Sequence, residues 1–267
     1  MTKRMLHFGK MIMIGAIAQC MLGEFALASA SSIHPPSPAR IDSAKPVKAL
    51  PNQKRSRFNR LDFSDLGRPR KRRGGGSRGS CLVANKPPLI ALVPNIGAGL
   101  TVTESPTFWF YVPYTLTSDY SVEFVLKDNQ DNTVYKNKFS GKGTSEGIVN
   151  LRLPSTISLE AGKDYDWYFL IYCDAQNQDK FVYVNGSVRR VEHPDLKRQL
   201  TSTSDQDRIA WYKAEGIWYE ALTVMAERVS VSPQDDKIRQ DWTDLLQSVG
   251  LEEVASEPFV SCCVPGK

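Results

Sequence analysis

From residue 81 onward the chain alternates short apolar runs with turn residues, and this pattern restricts the possible folds more than any other feature. The segment "PTFWFYVPY" is apolar on both faces of a strand, with Phe108, Phe110 and Val112 on one face and Trp109 and Tyr111 on the other. Similar runs follow at "SVEFVLKD", "GIVNLRLP", "YDWYFLIYC" and "KFVYVNGSVRRVE", separated by Gly, Asp, Asn and Pro. Such spacing predicts an antiparallel β-sandwich over residues 80–192.

The stretch "SLEAGKDYDWYFLIYC" carries a finer signal about this sandwich. Leu159 lies six residues before Tyr165, and Gly162 lies between them. This arrangement resembles the tyrosine corner of fibronectin type III and immunoglobulin-like domains, in which the tyrosine hydroxyl bonds to backbone near the turn. We therefore expect an immunoglobulin/fibronectin III-like sandwich, with an ordinary strand start and a buried tyrosine as the alternative. The motif indicates a fold and says nothing about function.

The C-terminal third changes to helical spacing. Apolar residues recur at intervals of three and four at Trp218, Ala221, Leu222, Met225 and Val229. The stretch "SPQD" predicts the start of a further helix, with Ser232 as N-cap, Pro233 at the first helical position and Asp235 at the third. We therefore predict an α+β protein. The sandwich is followed by a helical hairpin or three-helix segment with a short tail, over residues 193–267.

The helical segment has tetratricopeptide-like spacing at Tyr212, Gly216, Trp218, Ala221 and Pro233. Only one repeat is recognisable, whereas such units need about three stacked copies to bury a core. We therefore expect the helices to pack on the sandwich or on another chain. A peptide-binding groove on the Trp-rich face is the alternative.

The N-terminus has the three parts of a secretory signal. Lys3, Arg4 and Lys10 precede a mostly apolar run at 11–23, and the small-residue stretch "EFALASA" follows. We expect residues 1–30 to be removed by cleavage after Ala30, or after Ala28. The protein is then exported to the periplasm or the cell envelope. An uncleaved anchor and a lipoprotein are the less favoured alternatives.

Residues 31–79 form a basic, Pro-, Gly- and Arg-rich segment. Residues 31–80 carry 13 Lys and Arg against 3 Asp and Glu, a net charge of +10, whereas residues 81–267 carry 18 against 25, a net charge of −7. The segment has too few apolar residues for their burial to offset the entropy cost of ordering the chain. We therefore predict a disordered linker whose removal leaves the folded body intact.

The most basic part of this linker is a candidate electrostatic patch, made of Arg68, Arg70, Lys71, Arg72, Arg73 and Arg78. The simplest interpretation is a solvated spacer, because like charges repel and extend the chain. The alternative is reversible binding to anionic lipid or polymer. Nucleic acid is an unlikely partner for an exported protein.

Four cysteines remain after signal removal, and export permits disulfides. We predict a bond between Cys81 and Cys173, which flank the sandwich, with two reduced thiols as the alternative. We expect Cys262 and Cys263 to be exposed, and their adjacency disfavours an unstrained mutual bond.

The histidines argue against most enzyme classes. His7 lies in the signal, His34 in the linker and His193 at the domain junction, so neither folded pattern contains a histidine for nucleophilic or metal chemistry. We expect no catalytic residues, no cofactor and no metal. Neighbouring carboxylates, Asp164 with Asp166 or Asp235 with Asp236, leave an envelope-polymer hydrolase as an alternative.

The segments "GSRGSC", "PTFWFYVPY", "YDWYFLIYCD" and "EGIWYEALTVMAERVSVSPQDDKIRQDWTDLLQSVGL" together resemble a family of exported cyanobacterial proteins known as domain of unknown function 928. The resemblance covers roughly residues 74–256 and leaves out the last eleven residues. The resemblance implies an envelope or periplasmic setting, and it does not imply any particular activity. We therefore expect a non-catalytic binding or structural module of the cell envelope. Its helical segment is the expected contact for an envelope protein partner. Binding of a polyanion through the linker is a further alternative.

Overall fold

The computed structural model describes residues 70–76, 81, 85–174, 177–196, 201, 204–262 and 264–265. The predicted signal segment with Ala30, and residues 31–69 of the predicted linker, lie outside this part of the chain. The strands in chain order are β1 (Lys71–Gly76), β2 (Ile90–Ala91), β3 (Ala98–Thr101), β4 (Thr107–Val112), β5 (Ser121–Asp128), β6 (Thr133–Ser140), β7 (Gly147–Arg152), β8 (Asp164–Tyr172), β9 (Phe181–Arg190) and β10 (Val264–Pro265).

The strands form one hydrogen-bonded sheet in the order β10-β6-β5-β8-β9-β1-β2-β4-β7, and β3 pairs with β9 in parallel. The pairs along that path are antiparallel. Strands β5 and β6 form a hairpin with its turn at "DNQDN". In its turn the Asp128 carboxylate accepts hydrogen bonds from the backbone N–H groups of Gln130 and Asn132 at 2.9 and 2.8 Å.

The sheet curls, so that β4 faces β5 and β8 across the core. The rings of Phe110 and Phe169 stack with centroids 4.0 Å apart, and those of Phe108 and Phe124 lie 5.0 Å apart. These rings are almost fully buried, and aromatic burial of this kind dominates the stability of such cores. The curled antiparallel sheet followed by helices confirms the α+β prediction.

The predicted backbone contact of Tyr165 is present at the start of β8. Its hydroxyl accepts a hydrogen bond from the backbone N–H of Glu160 at 3.0 Å. Gly162 has a φ of 76°, a left-handed conformation that glycine adopts without a steric penalty. The hydroxyl therefore fixes the turn that leads into the strand.

Within residues 204–262 the chain forms helices α1 (Asp205–Glu215), α2 (Trp218–Val231) and α3 (Asp236–Gln247), and a 3-10 turn (Glu252–Val254). The indole N–H of Trp218 donates to the Leu92 carbonyl at 2.8 Å, and that of Trp167 donates to the Tyr219 hydroxyl at 2.9 Å. The helices therefore pack on the sheet, which is one of the two arrangements that the sequence predicted. No helix in the described part of the chain has the length and apolar character of a membrane span.

Helix α3 begins at Asp236, so the predicted start at Pro233 is wrong. The backbone N–H of Ser232 donates to the Arg228 carbonyl at 3.0 Å and thereby closes α2. Asp235 is the actual N-cap, and its carboxylate accepts from the backbone N–H of Ile238 at 3.0 Å. A carboxylate is favoured there because it satisfies a free N–H group and faces the positive end of the helix dipole.

The prediction of a disordered linker up to residue 79 is wrong for residues 71–76, because they form β1. Lys71 pairs with Asn185 of β9, and Arg73 pairs with Ile90 of β2. Gly74 permits this close packing, since a Cβ atom at that position would lie 2.9 Å from a side-chain carbon of Val182. Deletion of residues 31–79 would therefore remove a strand from within the sheet rather than a tether.

Candidate binding groove

The second aromatic face of strand β4 contributes Trp109 to the lining of a groove. The indole N–H of Trp109 donates to the Thr223 hydroxyl of α2 at 3.0 Å. Two residues further along the strand, the Tyr111 hydroxyl lies near the Glu257 carboxylate. Burial, together with the nearby carboxylates of Glu257 and Glu146, raises the pKa of Tyr111 to about 12. The second apolar face of "PTFWFYVPY" therefore lies against the helices and the C-terminal segment.

The C-terminal segment pairs in parallel with the outer edge of β7. The backbone N–H of Ile148 donates to the Pro258 carbonyl at 2.7 Å, and the N–H of Val260 donates to the Ile148 carbonyl at 2.9 Å. Gly147 has a φ of 143°, and a Cβ atom there would lie 2.3 Å from the Pro258 oxygen. Only glycine lets the segment approach this closely.

Phe259 occupies an aromatic slot beside the groove. Its ring centroid lies 5.9 Å from that of Trp109, edge to face, and 5.3 Å from that of Trp242. The indole N–H of Trp242 donates to the Ala255 carbonyl at 3.1 Å, so the start of the segment is also held by α3. Edge-to-face and tilted pairs of this kind add to the free energy gained by burial alone.

An open groove of about 620 Å³ remains beside the segment. Its lining combines apolar and polar residues, and consists of Trp109, Asn150, Val229, Ser230, Pro233, Arg239, Trp242 and residues 255–261. The side chain of Val231, at the end of α2, is 83% exposed. A concave lining of aromatic and apolar side chains with a few polar groups is typical of a ligand-binding site.

The predicted electrostatic patch is not part of the groove lining, and the structure gives several of its residues local partners. The Lys71 ammonium lies 5.0 Å from the centre of the Tyr183 ring, and Arg73 forms an ion pair with Glu253 at 2.5 Å. Arg70 is half-buried, and Arg68 and Arg78 lie outside the described residues. The described residues therefore do not form a uniformly solvated basic tail.

Arg72 has the most specific environment of these residues. Its guanidinium donates to the carbonyls of Val249 at 2.6 Å, Gly250 at 3.0 Å and Val93 at 3.2 Å. Burial is the main cause that lowers its pKa to about 10, still far above neutrality. The side chain therefore joins β1 to the end of α3 and is not available as a patch for polyanions.

The neighbouring carboxylates are engaged in structural contacts. Asp164 forms a two-pronged ion pair with Arg189 at 2.7 and 2.8 Å, and Asp166 accepts from the Ser187 hydroxyl at 2.6 Å. Asp235 caps α3, and Asp236 bonds to an arginine one turn along the helix. Neither pair lines the groove.

The disulfide between Cys81 and Cys173 is present, as predicted, with Cα atoms 5.8 Å apart. Cys262 differs from the expectation of exposure. It is half-buried against the hydrophobic core, and its sulfur is also disulfide-bonded. Cys263 lies outside the described residues.

A family model described as Domain of Unknown Function (DUF928) matches residues 73–259. The chain belongs to this family. The DUF928 match begins within β1 and ends at Phe259, so it includes the aromatic slot as well as the sheet and helices. No curated protein matches the chain.

A buried acid in the DUF928 region was not predicted from the sequence. Glu220 lies on α2 and is 8% exposed. One carboxylate oxygen accepts from the hydroxyls of Thr101 at 2.5 Å and Thr103 at 3.0 Å. Burial raises the pKa of Glu220, and the threonine hydrogen bonds offset only part of this effect. Within the described residues, no cluster of His, Cys, Asp or Glu is suited to a metal ion.

We expect Glu220 to make stability depend on pH. A carboxyl whose pKa is raised in the folded state stabilises it below the unfolded pKa, and this contribution is lost as the pH rises through the folded value. Wild-type stability should therefore fall above pH about 4.5, by at most about 1.4 kcal/mol per pH unit.

The substitution Glu220→Gln should flatten this profile in urea unfolding measured from pH 5 to 8. Glu227→Gln, at an exposed position of the same helix, is the matched control. Parallel profiles for wild type and Glu220→Gln would contradict the assignment.

Proposed function

We propose that the chain is a non-catalytic binding or structural module of the cell envelope, and that it engages a protein partner through the groove between the helices and the C-terminal segment. The observation that carries this proposal is the open groove of about 620 Å³ beside the C-terminal segment. Tryptophan and arginine are enriched at the centres of protein interfaces, and Trp109, Trp242 and Arg239 all line this groove.

The contacts of the charged residues favour this proposal over the two alternatives. A glycosidase needs two carboxyl groups that face a shared substrate cleft, whereas Asp164 and Asp235 are held by an ion pair and a helix cap. Binding of a polyanion through the basic stretch needs solvated cations, whereas Arg72 donates to three carbonyls.

The proposed setting is supported by the disulfide between Cys81 and Cys173, since such bonds persist in oxidising compartments. We also infer that the sheet is an immunoglobulin-like sandwich. This inference is supported by the packing of β4 on β5 and β8, by the parallel pairing of β3 with β9, and by the hydrogen bond to the Tyr165 hydroxyl. We further propose that helices α1 and α2 correspond to the single tetratricopeptide-like unit.

Site-specific crosslinking tests the proposal. A photoreactive residue at Ser230, on the groove lining, should form a discrete crosslink to a partner in intact cells of the native host. The same residue at Asn129, an exposed position in the β5–β6 turn, should not. Equal crosslinking from both positions, or none from position 230 in a folded and exported protein, would argue against a groove partner.

A further inference from the structure

Apart from β10 itself, the sheet ends at β6 and β7, and both of these strands pair with the C-terminal segment. β10 pairs with β6, with Val264 opposite Ser140, while the backbone of residues 258–260 pairs with β7 at Ile148. Unpaired edge strands readily accept additional strands from other chains. In the described part of the chain, one short segment therefore covers both edges.

The segment is bound to β7 as a peptide ligand would be bound. Its contacts include two backbone hydrogen bonds to Ile148 and one aromatic anchor, Phe259, and the Glu257 carboxylate lies near the Tyr111 hydroxyl. These are the elements of recognition by strand addition, in which backbone bonds supply affinity and a side-chain pocket supplies specificity. The sequence Glu257–Val260 therefore defines the ligand chemistry of the slot.

The acceptor edge is longer than the segment uses. β7 runs from Gly147 to Arg152, and the hydrogen bonds of the segment are made to Ile148. Because the outward hydrogen-bonding positions of an edge strand alternate, Asn150 directs its N–H and C=O groups to the same edge. Asn150 also lines the open groove. A longer strand could pair at both positions.

We propose that the edge of β7, with the slot between Trp109 and Trp242, is a strand-acceptor site for a partner's extended peptide that carries an acidic residue, a proline and an aromatic anchor. The chain's own C-terminal segment occupies this site and competes with that peptide. This inference rests on the proposed binding function and specifies the ligand class of the groove.

Tethering determines how strongly the segment competes. A segment joined by a short linker is present at an effective concentration in the millimolar range, so a free peptide must displace it. Substitution of the anchor, Phe259→Ala, weakens the bound segment and leaves the slot itself intact. The full-length variant should therefore bind a free peptide that wild type binds poorly.

The test uses a fluorescent peptide with the sequence of residues 255–261, ASEPFVS, and full-length protein. Fluorescence anisotropy should give a dissociation constant at least about tenfold lower for Phe259→Ala than for wild type, since the tethered competitor is weakened. The peptide ASEPAVS, which lacks the anchor, should not bind. The double variant Gly147→Ala/Phe259→Ala should also fail to bind, because the added Cβ would collide with the peptide carbonyl.

Circular dichroism establishes that each variant is folded before binding is measured. Equal binding of ASEPFVS and ASEPAVS, equal binding to wild type and Phe259→Ala, or no binding to folded Phe259→Ala would overturn the inference. Self-association of wild type that Gly147→Ala abolishes would assign the site to a second copy and would also overturn it. If a crosslink from Ser230 persists while the peptide fails, the proposed function stands and only the strand-acceptor inference is lost.

Discussion

Replacement of both Cys81 and Cys173 by serine should lower the free energy of unfolding by about 4–5 kcal/mol, the largest effect we expect from any small change. The bond closes a loop with a sequence separation of 92 residues, and the entropy that a crosslink removes from the unfolded chain grows with the length of that loop. It also ties the segment after β1 to the end of β8. Its loss should therefore loosen β1 before the rest of the sheet.

Urea unfolding of the Cys81→Ser/Cys173→Ser variant and wild type, both without reductant, measures this effect. Substitution is preferable to chemical reduction because Cys262 is also disulfide-bonded and would be reduced as well. A Cys262→Ser variant controls for the general effect of replacing a disulfide-bonded cysteine by serine. A double variant within about 1 kcal/mol of wild type would show that the bond constrains little unfolded-state entropy.

The central strands and the helices could be predicted because their signals are local. In β8 the residues Tyr165, Trp167, Phe169 and Ile171 alternate with less buried ones and face the core. The turn at Asp128 and the backbone bond of Tyr165 each involve residues within five positions of one another. Periodicity and turn chemistry operate over such short distances, so the sequence is informative there.

Strand β1 could not be predicted, because nothing in "KRRGGG" resembles a buried strand. Its place in the sheet depends on β9, on β2 and on carbonyls of residues as distant as Val249, separated from Arg72 by 177 positions. Charge and glycine content normally predict disorder. Here the half-buried Arg72 guanidinium has carbonyl partners and Gly74 permits close packing, so tertiary structure overrides the composition.

The groove was missed for the same reason. The two apolar faces of β4 indicated that something covers its outer face, but the covering segment lies about 150 residues later in a stretch that has no periodic signal. Glu220 was likewise hidden, since an acidic residue within a helical stripe usually lies at the surface. It is buried only because Thr101 and Thr103 of the β3 region lie opposite and donate to it.

Arg72 and Arg73 of β1 provide the second test, because both carry a guanidinium group but Arg72 is half-buried and Arg73 is exposed. Arg72→Ala should lower the free energy of unfolding by about 2–4 kcal/mol, since hydrogen bonds from charged groups contribute about 1.5–3 kcal/mol each and the partner carbonyls would lose their donor. Arg73→Ala should cost less than about 1 kcal/mol, because its ion pair with Glu253 is exposed. Both values come from the same urea unfolding experiment.

The variant Arg72→Lys separates geometry from charge. Lysine keeps the positive charge but lacks the planar fork that reaches the carbonyls of Val249 and Gly250 together. We expect it to recover less than half of the stability lost in Arg72→Ala. If Arg72→Ala and Arg73→Ala cost the same, β1 would be only loosely joined to the end of α3, and the stretch "KRRGGG" would again be best described as part of a tether. A loss confined to position 72 would instead establish that one arginine of the basic stretch is a structural residue of the folded body.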